Sequence, residues 1–157
     1  MLRGVSQVSL DAKGRFAVPQ RYREALGANG TNGTNGTNGT NTLVMTADPS
    51  RCLLLYSTAE WEPIEQKLMG LSSFNASTRA LQRLLVGHAD DVEMDATGRL
   101  LVPPALRLYA ALDKRIVLVG QGNKFEIWDE SRWNEVTAAA VSFSDGGLPP
   151  ELEGFSL

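Results

Sequence analysis

The sequence predicts a mainly β fold with helices, of the α+β class, in which two copies of one small β unit pack on each other within a single chain. Three observations predict it. Asp11-Ala12-Lys13-Gly14-Arg15-Phe16-Ala17-Val18-Pro19 recurs as Asp95-Ala96-Thr97-Gly98-Arg99-Leu100-Leu101-Val102-Pro103, with six of nine positions identical at an offset of 84, and Arg23 and Arg107 keep that offset. Leu53-Leu54-Leu55-Tyr56 followed by Trp61 resembles Phe125-Glu126-Ile127-Trp128 followed by Trp133, at an offset of 72. One copy without its closing helix is about 45 residues, too few to bury much surface alone, so the two copies are expected to pack as an intrachain pseudo-dimer.

The elements follow in order. Val5, Val8 and Leu10 alternate with polar residues, as in a short strand. Residues 11–14 read as a tight turn, in which Gly14 takes a positive φ and Asp11 bonds its own backbone. Residues 15–18 are the return strand, and Pro19 closes it and opens a short helix over 20–26. Residues 43–46 and 52–56 read as two strands joined by a turn at Asp48-Pro49-Ser50. Ser57 and Glu60 form a capping-box pair for a helix that places Trp61, Ile64 and Leu68 on one face. A linking helix over 77–86 carries Leu81, Leu84 and Leu85 on one side. The second copy repeats the plan, with strands at 91–94, 100–102, 115–119 and 125–128 and a short helix from Pro104 to about Ala110. Its closing helix is capped by Asp129, which stands where Ser57 stood.

The difference between the two offsets, 84 and 72, means that the first copy carries about 12 extra residues between its halves. Residues 29–41 are a run of Asn-Gly-Thr triplets with no apolar residue to bury, read as a flexible loop extension outside the core. Its four Asn-Gly-Thr sequons, at Asn29, Asn32, Asn35 and Asn38, matter only in a secretory compartment, to which nothing else in the sequence points. The organisation is then a first repeat over 5–59, linking helices over 60–88, a second repeat over 89–132, and a closing helix with a mobile acidic tail over 133–157.

Composition limits the function. Hydrophobic residues make up 43% and charged residues 21%, enough to bury a core, and no apolar run approaches a membrane span. The reading is a soluble intracellular protein with no membrane partner. One cysteine, Cys52, and one histidine, His88, exclude a disulfide framework and a multi-cysteine zinc site and leave little for a catalytic triad. The net charge of −3 argues mildly against a generic polybasic nucleic-acid binder. Its distribution matters more, because Arg3, Lys13, Arg15, Arg21 and Arg23 crowd residues 1–23 against Asp11 alone. A solvated face would look the same in charge.

The turn itself has two readings. In one, Asp and Arg merely pair across a hairpin. In the other, the arginine just past the turn tip is presented to a partner, with Lys13 beside it. Arginine's planar fork suits phosphate and guanine, and a two-stranded ribbon enters a major groove.

Taken together, several ordered motifs resemble the MraZ family, bacterial transcriptional regulators built from two AbrB-type repeats. They are Leu2-Arg3-Gly4, the two Asp-x-x-Gly-Arg turns, Arg21-Tyr22-Arg23-Glu24, Cys52-Leu53-Leu54-Leu55-Tyr56 with Trp61, Gln82-Arg83-Leu84-Leu85-Val86-Gly87, and the run from Gly120 to Trp128. The resemblance covers nearly the whole chain. It implies a swapped-hairpin β-barrel, homo-oligomeric rings, and a place in the cytoplasm on the nucleoid. It further implies repression of the division and cell-wall gene cluster, including the family member's own gene, through short direct repeats in double-stranded promoter DNA. The family's DNA contacts fall on Lys13 and Arg15, with Arg3, Arg21 and Arg23 as phosphate contacts from the same basic surface. Arg99 holds the matching place in the second turn, where Thr97 replaces the lysine; it is either structural or faces DNA with less charge. The triplet tract is a second departure. No cofactor, metal or small-molecule substrate is implied.

Two rival classes have weaker support. For an enzyme, His88 reads as a helix-end residue, Cys52 as a small core residue, and Asp91, Glu93 and Asp95 as the polar face of a strand. For an antitoxin-like or other protein-interaction module without specific DNA binding, the short acidic tail offers Leu148, Leu152, Phe155 and Leu157 as anchors, a pattern that a disordered terminus explains better. Trp61, Trp128 and Trp133 read as core anchors.

Overall fold

The computed structural model describes residues 1–26, 41–143, 149–152 and 154. The expected loop extension at 29–41, apart from Asn41, and most of the expected tail lie outside the described residues. The first repeat holds β1 (Leu2–Ser9), β2 (Arg15–Ala17), α1 (Gln20–Arg23), β3 (Thr42–Ala47) and β4 (Leu53–Ser57). Helices α2 (Thr58–Met69) and α3 (Ala76–Leu85) follow. The second repeat holds β5 (Asp90–Glu93), β6 (Arg99–Leu101), α4 (Pro104–Tyr109), β7 (Arg115–Gly122) and β8 (Lys124–Asp129), then α5 (Glu130–Phe143). The mixed α+β class expected of the sequence is the one observed.

The two repeats interleave. One antiparallel sheet runs β1-β7-β8-β4-β3-β5, so each repeat's first strand pairs with a strand of the other repeat. The turn after β1 closes locally, with the Asp11 N–H donating to the Arg15 carbonyl at 2.8 Å. The return strand β2 nevertheless pairs with β6 and not with β1, and the same exchange occurs in the second repeat. This is the swapped hairpin. It lets β1 run along β7 over its full length, which is why the strand begins at Leu2 and not at Val5.

An approximate two-fold axis relates the repeats. Phe16 lies opposite Leu100 and Leu54 opposite Glu126, and each pair joins a residue to its own repeat counterpart. Val8 faces Ile116 and Val92 faces Leu43, which puts β3 and β7 at an offset of 73. The twelve extra residues expected from the sequence therefore divide, with eleven before β3 and one in the β3–β4 turn. In that turn Arg51 stands at φ 67°, and the Asp48 carboxylate accepts the Ser50 N–H at 2.8 Å.

Strand alternation gives the large sheet two apolar faces. On one, Met45, Leu53, Leu55, Ile116, Leu118, Phe125 and Ile127 meet Phe16, Val18, Leu100 and Val102 from the β2–β6 ribbon and its flanks, with Tyr22 of α1 and Leu106 of α4. On the other, Val44, Leu54 and Tyr56 lie under Trp61 of α2 and against Leu85 and Val86 at the end of α3. The corresponding patch of Val117, Val119 and Trp128 lies under Trp133 and Val136 of α5. The ring pairs Tyr56–Trp61 at 5.5 Å and Trp128–Trp133 at 6.1 Å are repeat counterparts. Ser57 caps α2 by accepting the Glu60 N–H, and Asp129 accepts the Ser131 N–H at the start of α5.

Phe16 is 2% exposed at the centre of the small ribbon, where its ring joins the ribbon to the large sheet. Phe16→Ala is expected to lower stability by about 3–5 kcal/mol, the usual effect of emptying a core aromatic. Equilibrium denaturation at fixed protein concentration measures it, and a loss below about 1 kcal/mol would show that the ribbon is not anchored through this side chain.

Candidate nucleic-acid interface

Strands β2 and β6 form a two-stranded ribbon with one buried and one open side. Phe16 and Leu100 point inward, so Arg15, Ala17, Arg99 and Leu101 point outward by alternation. Arg15 lies opposite Leu101, and Ala17 lies opposite Arg99. The two arginines thus occupy diagonal corners of one small surface, related by the pseudo-two-fold axis.

A turn stands at each end of the ribbon. In the first, Asp11 Oδ1 accepts the N–H groups of Lys13 and Arg15, both at 2.9 Å. In the second, Asp95 Oδ1 accepts those of Thr97 at 3.0 Å and Arg99 at 2.8 Å. Gly14 and Gly98 complete the turns at φ +84° and +83°, a region that disfavours side chains. Each turn is also tied to the opposite repeat. The Gly14 carbonyl accepts the Val102 N–H at 2.8 Å and the Gly98 carbonyl accepts the Val18 N–H at 2.9 Å.

The remaining oxygen of each aspartate orients its arginine. Arg15 Nε lies 3.4 Å from Asp11 Oδ2, and Arg99 Nε lies 3.2 Å from Asp95 Oδ2. The terminal guanidinium nitrogens of both arginines have no hydrogen-bond partner among the described residues. The guanidinium is therefore held by its inner edge and open at its outer fork, the edge that makes paired hydrogen bonds to phosphate or guanine. The Arg15 N–H, then that of Lys13 with the guanidinium, holds the Asp11 carboxyl below its ordinary range. Asp95 goes further, to about 2, led by the Arg99 N–H and then the Thr97 hydroxyl.

The two turns differ at one position. Lys13 is exposed and makes no ion pair among the described residues. Thr97 folds back, its hydroxyl donating to Asp95 at 2.8 Å and accepting from Arg99 Nε at 3.2 Å. The first turn carries a free charge where the second carries a satisfied hydroxyl.

The other expected cations sit elsewhere. Arg3 is exposed on β1, opposite Gln121, and its carbonyl accepts the Tyr22 hydroxyl at 3.0 Å. Arg21 donates to Ser6 Oγ at 2.7 Å and lies over the Tyr22 ring at 4.5 Å. These two form a second basic group at the outer edge strand of the large sheet. Arg23 is half-buried, donates from Nε to the Val18 carbonyl at 2.9 Å, and packs its guanidinium where a Cβ on Gly98 would stand. Arg107 mirrors it, with Nη1 at 3.3 Å from a Cβ position on Gly14. Each of these arginines supports the other repeat's turn from below. Arg107 carries a sequence signal in its shared offset with Arg23, and Leu101 carries one in its alternation with Leu100.

The residues weighed for catalysis are dispersed. Cys52 is fully buried and desolvation pushes its thiol pKa far up, with the Asp48 and Glu126 carboxylates adding to the shift. His88 Nδ1 lies 3.0 Å and 3.1 Å from the carbonyls of Leu84 and Arg83 at the end of α3. Among the described residues, no three His, Cys, Asp or Glu side chains are grouped to hold a metal.

The family model described as "MraZ protein, putative antitoxin-like" matches residues 1–84 and again 85–146. Relatives similar over their whole length include the transcriptional regulator MraZ of Nitrosospira multiformis, 59% identical over 157 residues, and that of Thiobacillus denitrificans, 56% identical over 157 residues. The transcriptional regulator MraZ of Legionella pneumophila is 48% identical over 162 aligned residues, again covering all of both chains.

The turn geometry sets a pH dependence. Asp95 titrates below its ordinary value of 3.8, at about 2. Its charged form is the one the fold prefers, so its contribution is complete above about pH 3.8 and is lost as the pH falls toward 2. Asp95→Asn is expected to remove the Asp95 share of the acid loss in that window, leaving the share of Asp11, and to leave the shape of the profile above it unchanged. An NMR titration of the Asp95 carboxyl with a midpoint at 3.8 or higher would refute the arrangement.

Proposed function

The chain belongs to the MraZ family, whose relatives named above are transcriptional regulators, and we propose that it regulates transcription by docking its β2–β6 ribbon into the major groove of promoter DNA. One observation carries this reading: Arg15 and Arg99 stand on one open face, each held at Nε by an aspartate and open at its outer fork. A groove about 12 Å wide admits a two-stranded ribbon. Both forks then reach guanine edges, and Lys13 reaches a phosphate. Arg3 of β1 and Arg21 of α1 serve as further phosphate contacts. Arg23 supports the second turn from beneath it, a role that leaves only its outer guanidinium for the backbone.

One ribbon offers Lys13, Arg15 and Arg99 with Asp11 and Asp95 among them, so a single protomer binds weakly. A ring of protomers, engaging several short direct repeats at once, gains avidity through effective concentration. It also reconciles DNA binding with a net charge of −3, because only one face of the ring need be basic. In this reading the protein acts in the cytoplasm at the nucleoid and represses its own gene and the division and cell-wall cluster. It works without catalysis, cofactor or small-molecule substrate.

A gel-shift titration against the chain's own upstream DNA, with light scattering to report assembly, tests the core of the proposal. Arg15→Ala is expected to lose specific binding while keeping the wild-type assembly, since Arg15 stands at a surface turn and closes no core contact. Wild-type affinity in that variant would refute the ribbon as the reading element. Failure of correctly assembled wild type to bind would favour a protein partner instead.

Salt provides an independent check. The logarithm of affinity is expected to fall with the logarithm of salt concentration with a slope of about 0.9 per phosphate contact, so three contacts per engaged ribbon predict a steep loss. A flat response would exclude a phosphate-anchored interface.

A further inference from the structure

We propose that Leu101 reads the 5-methyl group of a thymine and thereby gives each ribbon a fixed direction on DNA. The inference rests on the DNA-binding reading above and names a specificity residue within it. Leu101 is 50% exposed on the open side of the ribbon and lies directly opposite Arg15. Its Cδ1 comes within 3.8 Å of a Cβ position on Gly14, so the side chain leans against the first turn. Its repeat counterpart is Ala17, which lies opposite Arg99. The fold does not require a large apolar side chain there, because the same position in the first repeat carries a single methyl.

The pseudo-two-fold ribbon consequently has two unequal halves. One presents Lys13, Arg15 and Leu101 around the first turn, and the other presents Thr97, Arg99 and Ala17 around the second. Arg15 and Leu101 are cross-strand partners, with Cβ atoms roughly 4.5–5.5 Å apart. Neither can enter a groove without the other. The apolar group that the major groove displays is the thymine methyl. With bases about 3.4 Å apart along each strand, the methyl that Leu101 meets lies within about two base pairs of the base that Arg15 reads. The other half presents only the single methyl of Ala17 at the matching position, so the two ends of the ribbon differ and it sits on its box in one orientation.

The experiment replaces each thymine of the bound upstream DNA in turn by deoxyuridine, which removes only the methyl group. Wild type, Leu101→Ala and Leu101→Gln are titrated against each duplex, with circular dichroism to verify folding. The expected result is one methyl-sensitive thymine per box, weakening wild type by about fourfold, the worth of one buried methyl. Both variants are expected to bind the thymine and deoxyuridine duplexes equally. Leu101→Gln keeps the length of the side chain, so loss of discrimination in that variant separates apolar contact from packing. Specific binding with no methyl-sensitive position overturns the inference and leaves the ribbon reading intact. So does a methyl sensitivity that survives in both variants. Absence of any DNA binding by folded wild type overturns both.

Discussion

The open face of this molecule depends on the pairing of two three-residue strands, β2 and β6, across the pseudo-two-fold axis. Neither strand is long enough to hold a conformation by itself, and neither pairs with the strand that precedes it in the chain. Each is fixed by the other repeat, and Phe16 and Leu100 then clamp the pair onto the large sheet. The ribbon is therefore held in place by both repeats at once.

The turns extend the same dependence outward. Each Asp-x-x-Gly-Arg segment closes on its own aspartate, but its glycine carbonyl binds the other repeat's backbone and an arginine of the other repeat supports it from below. The aspartate spans both levels, receiving two backbone N–H groups on one oxygen and the guanidinium on the other. Shape of the turn and aim of the arginine are set by a single side chain. This joins the two readings that the sequence leaves open, because pairing within the turn is what presents the arginine outward.

Much of this was legible in the residues themselves. Alternation placed the first strand, apolar runs bounded by turn residues and the repeat placed the others, Ser57 and Asp129 marked helix starts, and the repeat offsets exposed the pseudo-symmetry. The exchange of partners was not readable from periodicity, because alternation shows which side of a strand is buried and carries nothing about which strand lies beside it. For the same reason the twelfth inserted residue was invisible until register located it in the β3–β4 turn. At the interface, the positions of Lys13 and Arg15 followed from turn chemistry. Arg23 could not be separated from them by charge, since its distinguishing contact is with Gly98, 75 residues away in the chain. Leu101 gave only its alternation, and an exposed leucine is ordinary on any surface until its neighbour across the strand is known.

Covalent linkage of the two repeats has a consequence for recognition. A dimer of separate identical chains must present the same residues at both ends of its ribbon, and such a ribbon matches a two-fold symmetric site. Here each end is encoded separately. The residues that close the turns, Asp11 with Gly14 and Asp95 with Gly98, are the same at both ends because both turns need them. The residues free of that duty have diverged, lysine against threonine at the tip and alanine against leucine on the strand. Divergence at outward positions, on a frame whose inward positions stay apolar with phenylalanine against leucine at 16 and 100, keeps the fold symmetric while the exposed surface is not. If the protein acts as the proposed ring on direct repeats, an asymmetric surface on each protomer lets it meet successive boxes that all point the same way.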